Sequence, residues 1–292
     1  YYLFKYRPNI LHASLVGYIP LISKIFFRNL KVFNSIQGYP RFNLLRKLIW
    51  KTLYTKSDLI ITMTENTKKK LIQSLGDIKH IKTILNPVID NKIYIKSEKK
   101  IDKKFEMIFY NKISFISIGR LTRQKNYIEL LKAFEIFQKK FDINFVKENF
   151  TLVIIGEGED LFKLKKFVKD QNILNVYFLG FQDNPFNLLK YSNFYVSSSL
   201  WEDPGHTLIE AAALKIPIIT SDCPSGPKEF FNINNSFVYR SGNYKQLSEI
   251  LLKITNNINN KDLNINQKII SSFELSKKFT KKNFYEGLRN YL

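Results

Sequence analysis

Apolar runs alternate strictly with helical patterns over residues 114–220 of this chain. The apolar runs cover residues 114–119, 150–156, 175–181, 194–199 and 216–220. The helical patterns cover residues 126–140, 159–170, 185–191 and 207–215. Runs such as FTLVIIG show no polar alternation, so each strand is predicted to be buried on both faces, as in a parallel sheet that helices cover on both sides. Ligands of such sheets bind at the carboxyl ends of the strands, which is where we look for functional residues.

The beginning of the chain shows a similar but less regular alternation. Its strand-like runs cover residues 9–14, 31–36, 58–64 and 82–87. Residues 44–57 have the apolar spacing of an amphipathic helix. Residues 90–112 are rich in lysine and lack a clear period, so they are predicted to link two domains. Two more helical patterns follow the regular part, over residues 244–258 and 275–291.

The chain is strongly basic, with 46 Lys and Arg against 25 Asp and Glu and a net charge of +21. A basic surface attracts nucleic acid, anionic lipid or phosphorylated substrates. An AT-biased coding sequence, which makes lysine abundant throughout, is the alternative explanation. Composition alone leaves these readings open.

Several classes of protein are disfavoured by the sequence. The longest apolar stretch begins at Leu15 and is interrupted by Pro20 and Lys24, so no membrane-spanning helix is predicted. A single cysteine excludes an internal disulfide framework and predicts a reducing, cytoplasmic compartment. The three histidines and the cysteine are scattered, so no metal site is predicted. Because the chain starts at Tyr1, almost directly on a strand-like run, we expect that an N-terminal segment is absent from this sequence.

A basic loop, GRLTRQKN, follows the first apolar run of the regular part. Gly119 allows a tight turn of the backbone, and Arg120 and Lys125 lie on the loop before a helix. Arginine binds phosphate oxygens through two donors and lysine supplies a mobile charge, so the pair is suited to a diphosphate. The alternative is two solvated basic side chains on a surface loop.

Two carboxylates flank a chain break in EDPGHTLIE, with Glu202 before Pro204-Gly205 and Glu210 after it. Neither proline nor glycine suits a helix interior, so a helix is predicted to start after the break. Its first amides are free to bind phosphate, and they belong to Gly205, His206, Thr207 and Leu208. The spacing from Thr207 to Glu210 also matches a capping box, in which Glu210 only closes the helix.

Two further strand ends carry candidate residues. Gly180 and Phe181 end the run NVYFLGF, where backbone groups can hydrogen-bond a flat base, although Phe181 packed in the core is the alternative. The loop SDCPSGPKE follows the last strand of the regular part. Its Cys223 is predicted to be a small apolar filler rather than a nucleophile.

The loop GRLTRQKN, the two glutamates of EDPGHTLIE and the loop SDCPSGPKE resemble glycosyltransferase family 4 in their order and spacing. The resemblance implies an α/β protein of the GT-B fold, with two Rossmann-like, doubly wound parallel-sheet domains facing a cleft. The domains it implies are an incomplete, acceptor-side domain over residues 1–105 and a nucleotide-sugar-binding domain over residues 106–274. A C-terminal helix, residues 275–292, is expected to pack back toward the first domain.

The resemblance also implies retaining transfer of a hexose or an N-acetylhexosamine from a nucleotide sugar, expected to be a UDP-sugar. The implied acceptor is a glycan or a lipid-linked glycan of cell-surface polysaccharide synthesis. Neither a cofactor nor a metal is expected, and the chain contains no Asp-x-Asp, the carboxylate pair on which a metal-dependent transferase would hold a cation.

Residue roles carried over from the resemblance are as follows. Arg120 and Lys125 would hold the donor diphosphate, and Glu202 would contact the transferred sugar; these three are the predicted catalytic residues. Glu210 would bind the ribose hydroxyls, and residues 205–208 would present amides to sugar and phosphate. Gly119 also belongs to the predicted donor site. Gly180 and Phe181 would border the base of the nucleotide.

Two departures from the family and three alternatives stay open. Gln37 in SIQGYP stands where many members have histidine, and the glycine-rich loop expected near the N-terminus has no counterpart. The alternatives are a nucleotide-sugar epimerase of the same fold, a degenerate domain that binds without catalysis, and a basic nucleic-acid-binding protein. The chain lacks a nucleic-acid recognition motif or a concentrated stripe of basic and aromatic residues, so no nucleic-acid partner is predicted.

Basic and aromatic residues in the first part of the chain predict contact with an anionic membrane surface, at the inner face of the cell membrane. An ordinary solvated helix face is the alternative. The residues concerned are Lys24, Arg28, Arg46, Lys47 and Lys51, beside Phe26, Phe27 and Trp50.

Overall fold

The structure is a computed structural model that describes residues 2–14, 18–40, 42–54, 56–256 and 264–292. The strands are β1 (Ile10–Ser14), β2 (Lys31–Ile36), β3 (Leu59–Thr62), β4 (Ile81–Thr83), β5 (Ile113–Ile118), β6 (Phe150–Ile155), β7 (Val176–Phe178), β8 (Phe194–Ser197), β9 (Ile218–Ser221) and β10 (Phe237–Tyr239). The helices are α1 (Tyr2–Tyr6), α2 (Tyr18–Phe26), α3 (Leu44–Tyr54), α4 (Glu65–Leu75), α5 (Asn91–Ser97), α6 (Lys103–Phe109), α7 (Tyr127–Gln138), α8 (Ile143–Asn149), α9 (Leu161–Asp170), α10 (Pro185–Tyr191), α11 (His206–Ala213), α12 (Gly226–Phe230), α13 (Tyr244–Asn256), α14 (Ile265–Ser276) and α15 (Lys281–Leu288).

The chain divides into two compact units. The first unit comprises Tyr1–Pro87 and Thr280–Leu292, and the second comprises Val88–Phe279. The sequence prediction divided the chain at residues 105 and 274. The predicted α/β architecture with two parallel sheets is confirmed, because each unit contains one wholly parallel sheet.

The segment predicted to be a linker is largely helical and belongs to the second unit. Helices α5 and α6 begin after Asp90 and Asp102, whose carboxylates accept hydrogen bonds from the amides of Lys92 and Lys104. An aspartate at this position satisfies amides that the helix leaves unpaired. Helix α5 packs on α10. The lysine-rich composition therefore concealed two short capped helices.

The first unit contains a four-stranded sheet in the order β1-β2-β3-β4. Strand β3 is buried along its whole length, as its continuous apolar run predicted. Within this unit Leu288 of α15 packs in one apolar cluster with Phe33 and Leu59. The helix predicted over residues 275–291 corresponds to α15, preceded by the last two residues of α14, and α15 belongs to the first unit.

The second unit contains a six-stranded sheet in the order β10-β9-β8-β5-β6-β7. From β5 the chain runs outward through β6 and β7, then returns to the other side of β5 and runs outward again through β8, β9 and β10. The direction of winding therefore reverses between β5 and β8. In open parallel sheets the crevice outside the carboxyl ends of the strands at such a reversal is the usual ligand site.

The core of the second unit is rich in aromatic residues. Helix α7 buries Phe134 and Phe137 against Phe115 of β5 and Phe150 of β6, with ring centroids 4.8 to 6.1 Å apart. Edge and offset contacts of this kind add to the free energy gained from burial. The packing holds α7 against β5 and β6, and the loop between β5 and α7 leads into this helix.

Candidate functional site

The loops that follow β5 and β8 are joined by hydrogen bonds at the carboxyl edge of the second unit's sheet. The amide of Leu200 donates to the carbonyl of Gln124 at 2.8 Å. The hydroxyl of Ser198 donates to the carbonyl of Lys125 at 2.9 Å, and the side-chain amide of Gln124 donates to the carbonyl of Trp201 at 3.0 Å. Residues of GRLTRQKN and of SSSLWED thus form one structure at the reversal point of the sheet.

Gly119 and Gly156 allow a close approach at the ends of β5 and β6. A Cβ on Gly156 would lie 2.1 Å from the carbonyl oxygen of Gly119, and a Cβ on Gly119 would lie 2.7 Å from Cε of Lys125. Only glycine fits at position 156, where the clashing atom is backbone, and at position 119 the φ of 155° also favours glycine. The side chain of Lys125 therefore runs directly over the backbone of Gly119, which explains why the basic loop begins with glycine.

Lys125 and Glu202, two of the three predicted catalytic residues, form an ion pair. Nζ of Lys125 lies 2.6 Å from Oε1 of Glu202, and the two side chains are 18% and 9% exposed. The hydroxyl of Ser199 donates to the same carboxylate oxygen at 2.7 Å. Charged side chains that are buried to this extent need an opposite charge and hydrogen bonds to offset the loss of solvation. The structure therefore joins the predicted phosphate-binding lysine to the predicted sugar-binding acid.

Arg120, the third predicted catalytic residue, is exposed on the same loop. Among residues of the described ranges its guanidinium has no hydrogen-bond or ion-pair partner. Its position next to Gly119 puts it at the carboxyl end of β5. An exposed guanidinium at this place keeps all of its donors for an anion from solution.

Helix α11 begins at His206 with Gly205 as its N-cap, in the left-handed conformation with φ 93° and ψ 67° and no side-chain cap. The capping-box alternative is wrong, because Thr207 is the second residue of the helix rather than its cap. Its hydroxyl oxygen accepts a hydrogen bond from Tyr195 at 2.6 Å instead. The amides of His206 and Thr207 are left without a capping side chain. The amide of Leu208, which was also predicted to bind the donor, instead donates to the carbonyl of Gly205 at 3.0 Å.

Glu210 lies on α11, one turn after His206. Burial raises the pKa of its carboxyl to about 7, and the Lys125 ammonium opposes part of that shift. Burial also lowers the pKa of the His206 imidazole, even though part of that residue is exposed. A carboxyl with a raised pKa beside a lysine is typical of a ligand site, although structural carboxyls also show such shifts.

Gly180 and Phe181 follow β7 at the same edge of the sheet. The carbonyl of Gly180 accepts a hydrogen bond from the amide of Gly156 at 2.8 Å, and Gly180 has a positive φ of 68°. The side chain of Phe181 is 68% exposed, so its alternative role in core packing is wrong. It offers an aromatic face to solvent.

The loop SDCPSGPKE packs against the chain break between the two glutamates. The amides of Ser225 and Gly226 donate to the carbonyl of Glu202 at 2.6 and 3.0 Å. A Cβ on Gly226 would lie 1.8 Å from the carbonyl oxygen of Pro204, so only glycine fits. Cys223 is fully buried, and burial raises the pKa of its thiol to about 12, as suits an inert filler.

Two polar residues of the first unit, Gln37 and His12, lie on or directly after its strands. Gln37 follows β2 and is exposed. His12 on β1 shares a hydrogen bond of 2.6 Å with the hydroxyl of Ser35, and its ring stacks on Phe284. These two contacts show that His12 has a structural role in the packing of the first unit.

Three residues of the site escaped sequence analysis. Ser199 contacts Glu202, Tyr195 contacts Thr207, and Glu129 is a carboxyl that is only 4% exposed on the first turn of α7. The run of serines after β8 was a signal, because consecutive small polar residues at the end of a buried strand often bind polar groups. Glu129 gave no signal, since a glutamate in the first turn of a helix usually faces solvent.

Neither a metal centre nor a membrane span is found in the described part of the chain. Over those residues no three His, Cys, Asp or Glu side chains come together in a way that would hold a cation. No helix in the described ranges is both long and apolar enough to cross a bilayer.

Residues 98–270 match the sequence pattern of the glycosyl transferases group 1. The chain belongs to this family. An uncharacterized glycosyltransferase of Methanocaldococcus jannaschii is 36% identical over 215 residues, which are 70% of this chain and 51% of that protein. A second relative is the Campylobacter jejuni N-acetylgalactosamine-N,N'-diacetylbacillosaminyl-diphospho-undecaprenol 4-alpha-N-acetylgalactosaminyltransferase, 27% identical over 79% of this chain and 59% of its own length.

Solved structures of similar shape establish the fold of this group 1 glycosyl transferase as GT-B. The HepE protein of Anabaena, solved in complex with UDP, superposes with a TM-score of 0.80. It is 15% identical and covers 98% of this chain, which in turn covers 79% of that protein. The chain spans roughly half to three fifths of the length of the curated relatives named above.

Proposed function

We propose that this group 1 glycosyl transferase moves a hexose or an N-acetylhexosamine from a UDP-sugar to a glycan or lipid-linked acceptor, with retention of configuration. The observation that carries the proposal is the Lys125–Glu202 ion pair beside an exposed Arg120, at the reversal point of the sheet. The Campylobacter relative is named for transfer to a diphospho-undecaprenol acceptor, and HepE was solved with UDP, which supports a donor and an acceptor of these classes.

The cationic side of the site suits the leaving diphosphate. When the bond between the sugar carbon and the phosphate oxygen breaks, its electron pair stays on the diphosphate, which gains negative charge. Arg120, two of the three N–H donors of Lys125 and the amides of His206 and Thr207 at the start of α11 are available to stabilise that charge. Donors that are fixed before the reaction stabilise such charge without the cost of reorienting.

The two carboxyls suit the carbohydrate part of the donor. Glu202 accepts hydrogen bonds and balances the charge of Lys125, so the lysine stays in place when no donor is bound. Glu210 would accept the ribose hydroxyls, and binding of two hydroxyls favours its ionised form over the protonated form that burial favours. The exposed ring of Phe181 and the backbone at Gly180 would border the base.

Retention follows if the acceptor attacks from the face that the diphosphate leaves. The acceptor oxygen then bonds to the sugar carbon while its proton passes to the departing phosphate oxygen, so no covalent sugar–enzyme intermediate is formed. The buried Cys223 thiol, with its raised pKa, is unsuited to a nucleophilic role. Neither a cofactor nor a metal is part of the proposed mechanism.

A screen of nucleotide sugars by thermal shift tests the proposal. We expect one UDP-sugar to raise the melting temperature of the protein, and the shift to disappear in Arg120→Ala and in Glu210→Gln. Arg240→Ala, which removes an exposed arginine after β10, is the matched control and should keep the full shift. Product analysis with that donor then separates transfer from epimerisation, and unchanged shifts in both site variants would rule out this site.

We also propose that the first unit contacts an anionic membrane surface through α3. Leu44, Leu45 and Leu48 on this helix are 88%, 67% and 62% exposed, among exposed Arg46 and Lys47. An apolar strip with basic neighbours is complementary to anionic lipid headgroups over acyl chains. Lipid of this charge is found at the cytoplasmic face of cell membranes, which is where we propose that the protein acts.

The structure changes which residues carry the proposed membrane contact. Trp50 is 6% exposed and packs against Tyr54 inside the first unit, so it is not available to lipid. Lys24 forms an ion pair with Asp58 at 2.7 Å, which neutralises its charge. The leucines of α3, which sequence analysis passed over, replace Trp50 in the proposal.

Flotation with lipid vesicles tests the membrane contact. We expect binding to vesicles that contain phosphatidylglycerol and little binding to phosphatidylcholine alone. Leu44→Ser/Leu48→Ser should abolish binding, whereas Ile233→Ser, which removes a 76% exposed apolar side chain elsewhere, should leave it unchanged. Equal binding to both kinds of vesicle would reject the electrostatic part of the proposal.

A further inference from the structure

Glu129 is a buried carboxyl on the first turn of α7, the helix that follows the loop carrying Lys125. Its Oε2 accepts a hydrogen bond from the side-chain amide of Asn126 at 2.5 Å, and its Oε1 accepts one from the amide of Gly242 at 3.1 Å. The hydroxyl of Tyr239 is also hydrogen-bonded to it. Burial raises the pKa of this carboxyl to about 7, whereas the three donors favour the ionised form. Burying an ionisable carboxyl is unfavourable, so we looked for a role that requires a carboxylate at this position.

The first contact connects Glu129 to the loop that carries Lys125. Asn126, the residue after Lys125, is the N-cap of α7 and lies in the left-handed conformation with φ 50° and ψ 45°. That conformation is unfavourable for a residue with a side chain, by about 1 kcal/mol, and asparagine is among the residues that tolerate it best. The hydrogen bond from Asn126 to Glu129 stabilises the turn, and the turn sets the direction in which Lys125 leaves the backbone.

A second series of contacts leads from Glu129 toward Glu202. The hydroxyl of Tyr239 faces two acceptors, the Glu129 carboxylate and, at 3.3 Å, the carbonyl of Ser197, the last residue of β8, and its single proton is shared between them. Ser199, two residues further along the same loop, donates to the Glu202 carboxylate. The side chains of Ser197 and Ser199 are also within hydrogen-bond distance of each other, at 3.4 Å. Glu129 therefore contacts the supports of both members of the ion pair.

We propose that Glu129 is a positioning residue, which holds the Lys125 turn and the end of β8 in the register that forms the Lys125–Glu202 pair. A carboxylate is required there because Asn126 and Gly242 each present a donor, one to each of its two oxygens. Glutamine has one acceptor oxygen and one donor group, so it cannot accept from Asn126 and from Gly242 on separate oxygens. The proposal rests on the proposed function only in assigning the ion pair to donor binding.

Hydrogen exchange of the protein without ligand tests the positioning directly. At pH 8, where the carboxyl is ionised, Glu129→Gln should speed amide exchange in residues 119–126 by about tenfold, as expected when a charged hydrogen bond is lost. Glu135→Gln is the matched control, because Glu135 lies on the same helix and pairs with Lys139 at the surface. Unchanged exchange in residues 119–126 of Glu129→Gln would overturn the proposal whether or not the protein binds a nucleotide.

Calorimetry with UDP distinguishes positioning from general support of the fold. Glycine adopts the left-handed conformation without cost, so Asn126→Gly should make the turn independent of Glu129. We expect Glu129→Gln to weaken UDP binding about tenfold in the wild-type background and less than about threefold in Asn126→Gly. An equal loss in both backgrounds would overturn the proposal.

Tyr239→Phe provides a second variant if Glu129→Gln does not fold. It keeps the ring of a residue that is 1% exposed and removes only the hydroxyl between Glu129 and Ser197. We expect weaker UDP binding with a much smaller change of exchange in residues 119–126 than in Glu129→Gln, because the contact with Ser197 is lost while the hydrogen bonds from Asn126 and Gly242 to Glu129 remain. Wild-type UDP affinity in Tyr239→Phe would contradict the connection to Glu202. Absence of UDP binding by the wild-type protein would instead count against the proposed function, with hydrogen exchange still deciding the role of Glu129.

Discussion

The ammonium of Lys125 lies 2.6 Å from the carboxylate of Glu202, and the two side chains are only 18% and 9% exposed. The two residues come from loops after neighbouring strands of one sheet, β5 and β8. Parallel strands end at the same edge, so residues far apart in the sequence meet there. This pair is the centre of the proposed donor site, and its energetics can be measured without knowing the substrate.

Lys125→Met should lower the free energy of unfolding by about 2 kcal/mol, because it leaves the Glu202 carboxylate buried without its cation. The double variant Lys125→Met/Glu202→Gln should lose less than the sum of the two single variants. Urea denaturation measures both. Lys139→Met is the control: its pair with Glu135 is also 2.6 Å long, but Lys139 is 67% exposed and its loss should cost less than about 0.5 kcal/mol. Equal losses for the two lysine variants would contradict the prediction.

Stability should depend on pH through Glu210. Burial raises the pKa of this carboxyl from 4.5 to about 7, so the folded state binds the proton more tightly than the unfolded state does. That contribution to stability is fully present below pH 4.5 and is lost as the pH rises through 7. The difference corresponds to at most about 3 kcal/mol.

Urea denaturation between pH 5 and 8 measures this dependence. The wild-type protein should lose stability relative to Glu210→Gln over that range, because glutamine does not titrate. Glu159→Gln, which changes an exposed glutamate, is the control and should follow the wild-type curve. Parallel curves for the wild type and Glu210→Gln would show that Glu210 titrates normally.

The strand–helix alternation was predictable because its causes are local. A strand buried on both faces is mostly apolar, and β6 and β8 are so apart from the buried Thr151 and Ser197. The positions of the candidate residues followed from the fold, since loops after parallel strands meet at one edge. The sequence therefore indicated that Arg120, Lys125, Glu202 and Glu210 belong to one region.

Partners and burial could not be predicted, because they depend on residues distant in the sequence. The spacing of Thr207 and Glu210 alone fits a capping box. In the structure the hydroxyl of Thr207 instead accepts a hydrogen bond from Tyr195 of β8. Trp50 lies among lysines and leucines on α3 and is buried, while Leu44 on the same helix is 88% exposed. Periodicity indicates that a helix has two faces, but not which face the rest of the protein covers.

The backbone approach at Gly156 should tolerate no side chain. A Cβ there would lie 2.1 Å from the carbonyl oxygen of Gly119, so Gly156→Ala must displace the end of β5 and should cost more than about 3 kcal/mol. Gly242→Ala is the control from the same unit, because Gly242 also has a positive φ, 87°, but no atom lies within 4 Å of the added Cβ. That substitution should cost only about 1 kcal/mol. Similar losses in urea denaturation would mean that backbone conformation, rather than the close approach, requires glycine at position 156.

The contact between Tyr195 and Thr207 should couple β8 to the start of α11. Tyr195 is 1% exposed and its hydroxyl donates to Thr207 at 2.6 Å, so Tyr195→Phe leaves the threonine oxygen without this donor. We expect Tyr195→Phe and Thr207→Val each to cost about 1 kcal/mol, and the double variant to cost about the same as either alone. A capping box would instead couple Thr207 to Glu210. A double-mutant cycle of Thr207→Val with Glu210→Gln should therefore be additive, and coupling larger than about 0.5 kcal/mol in that cycle would restore the capping interpretation.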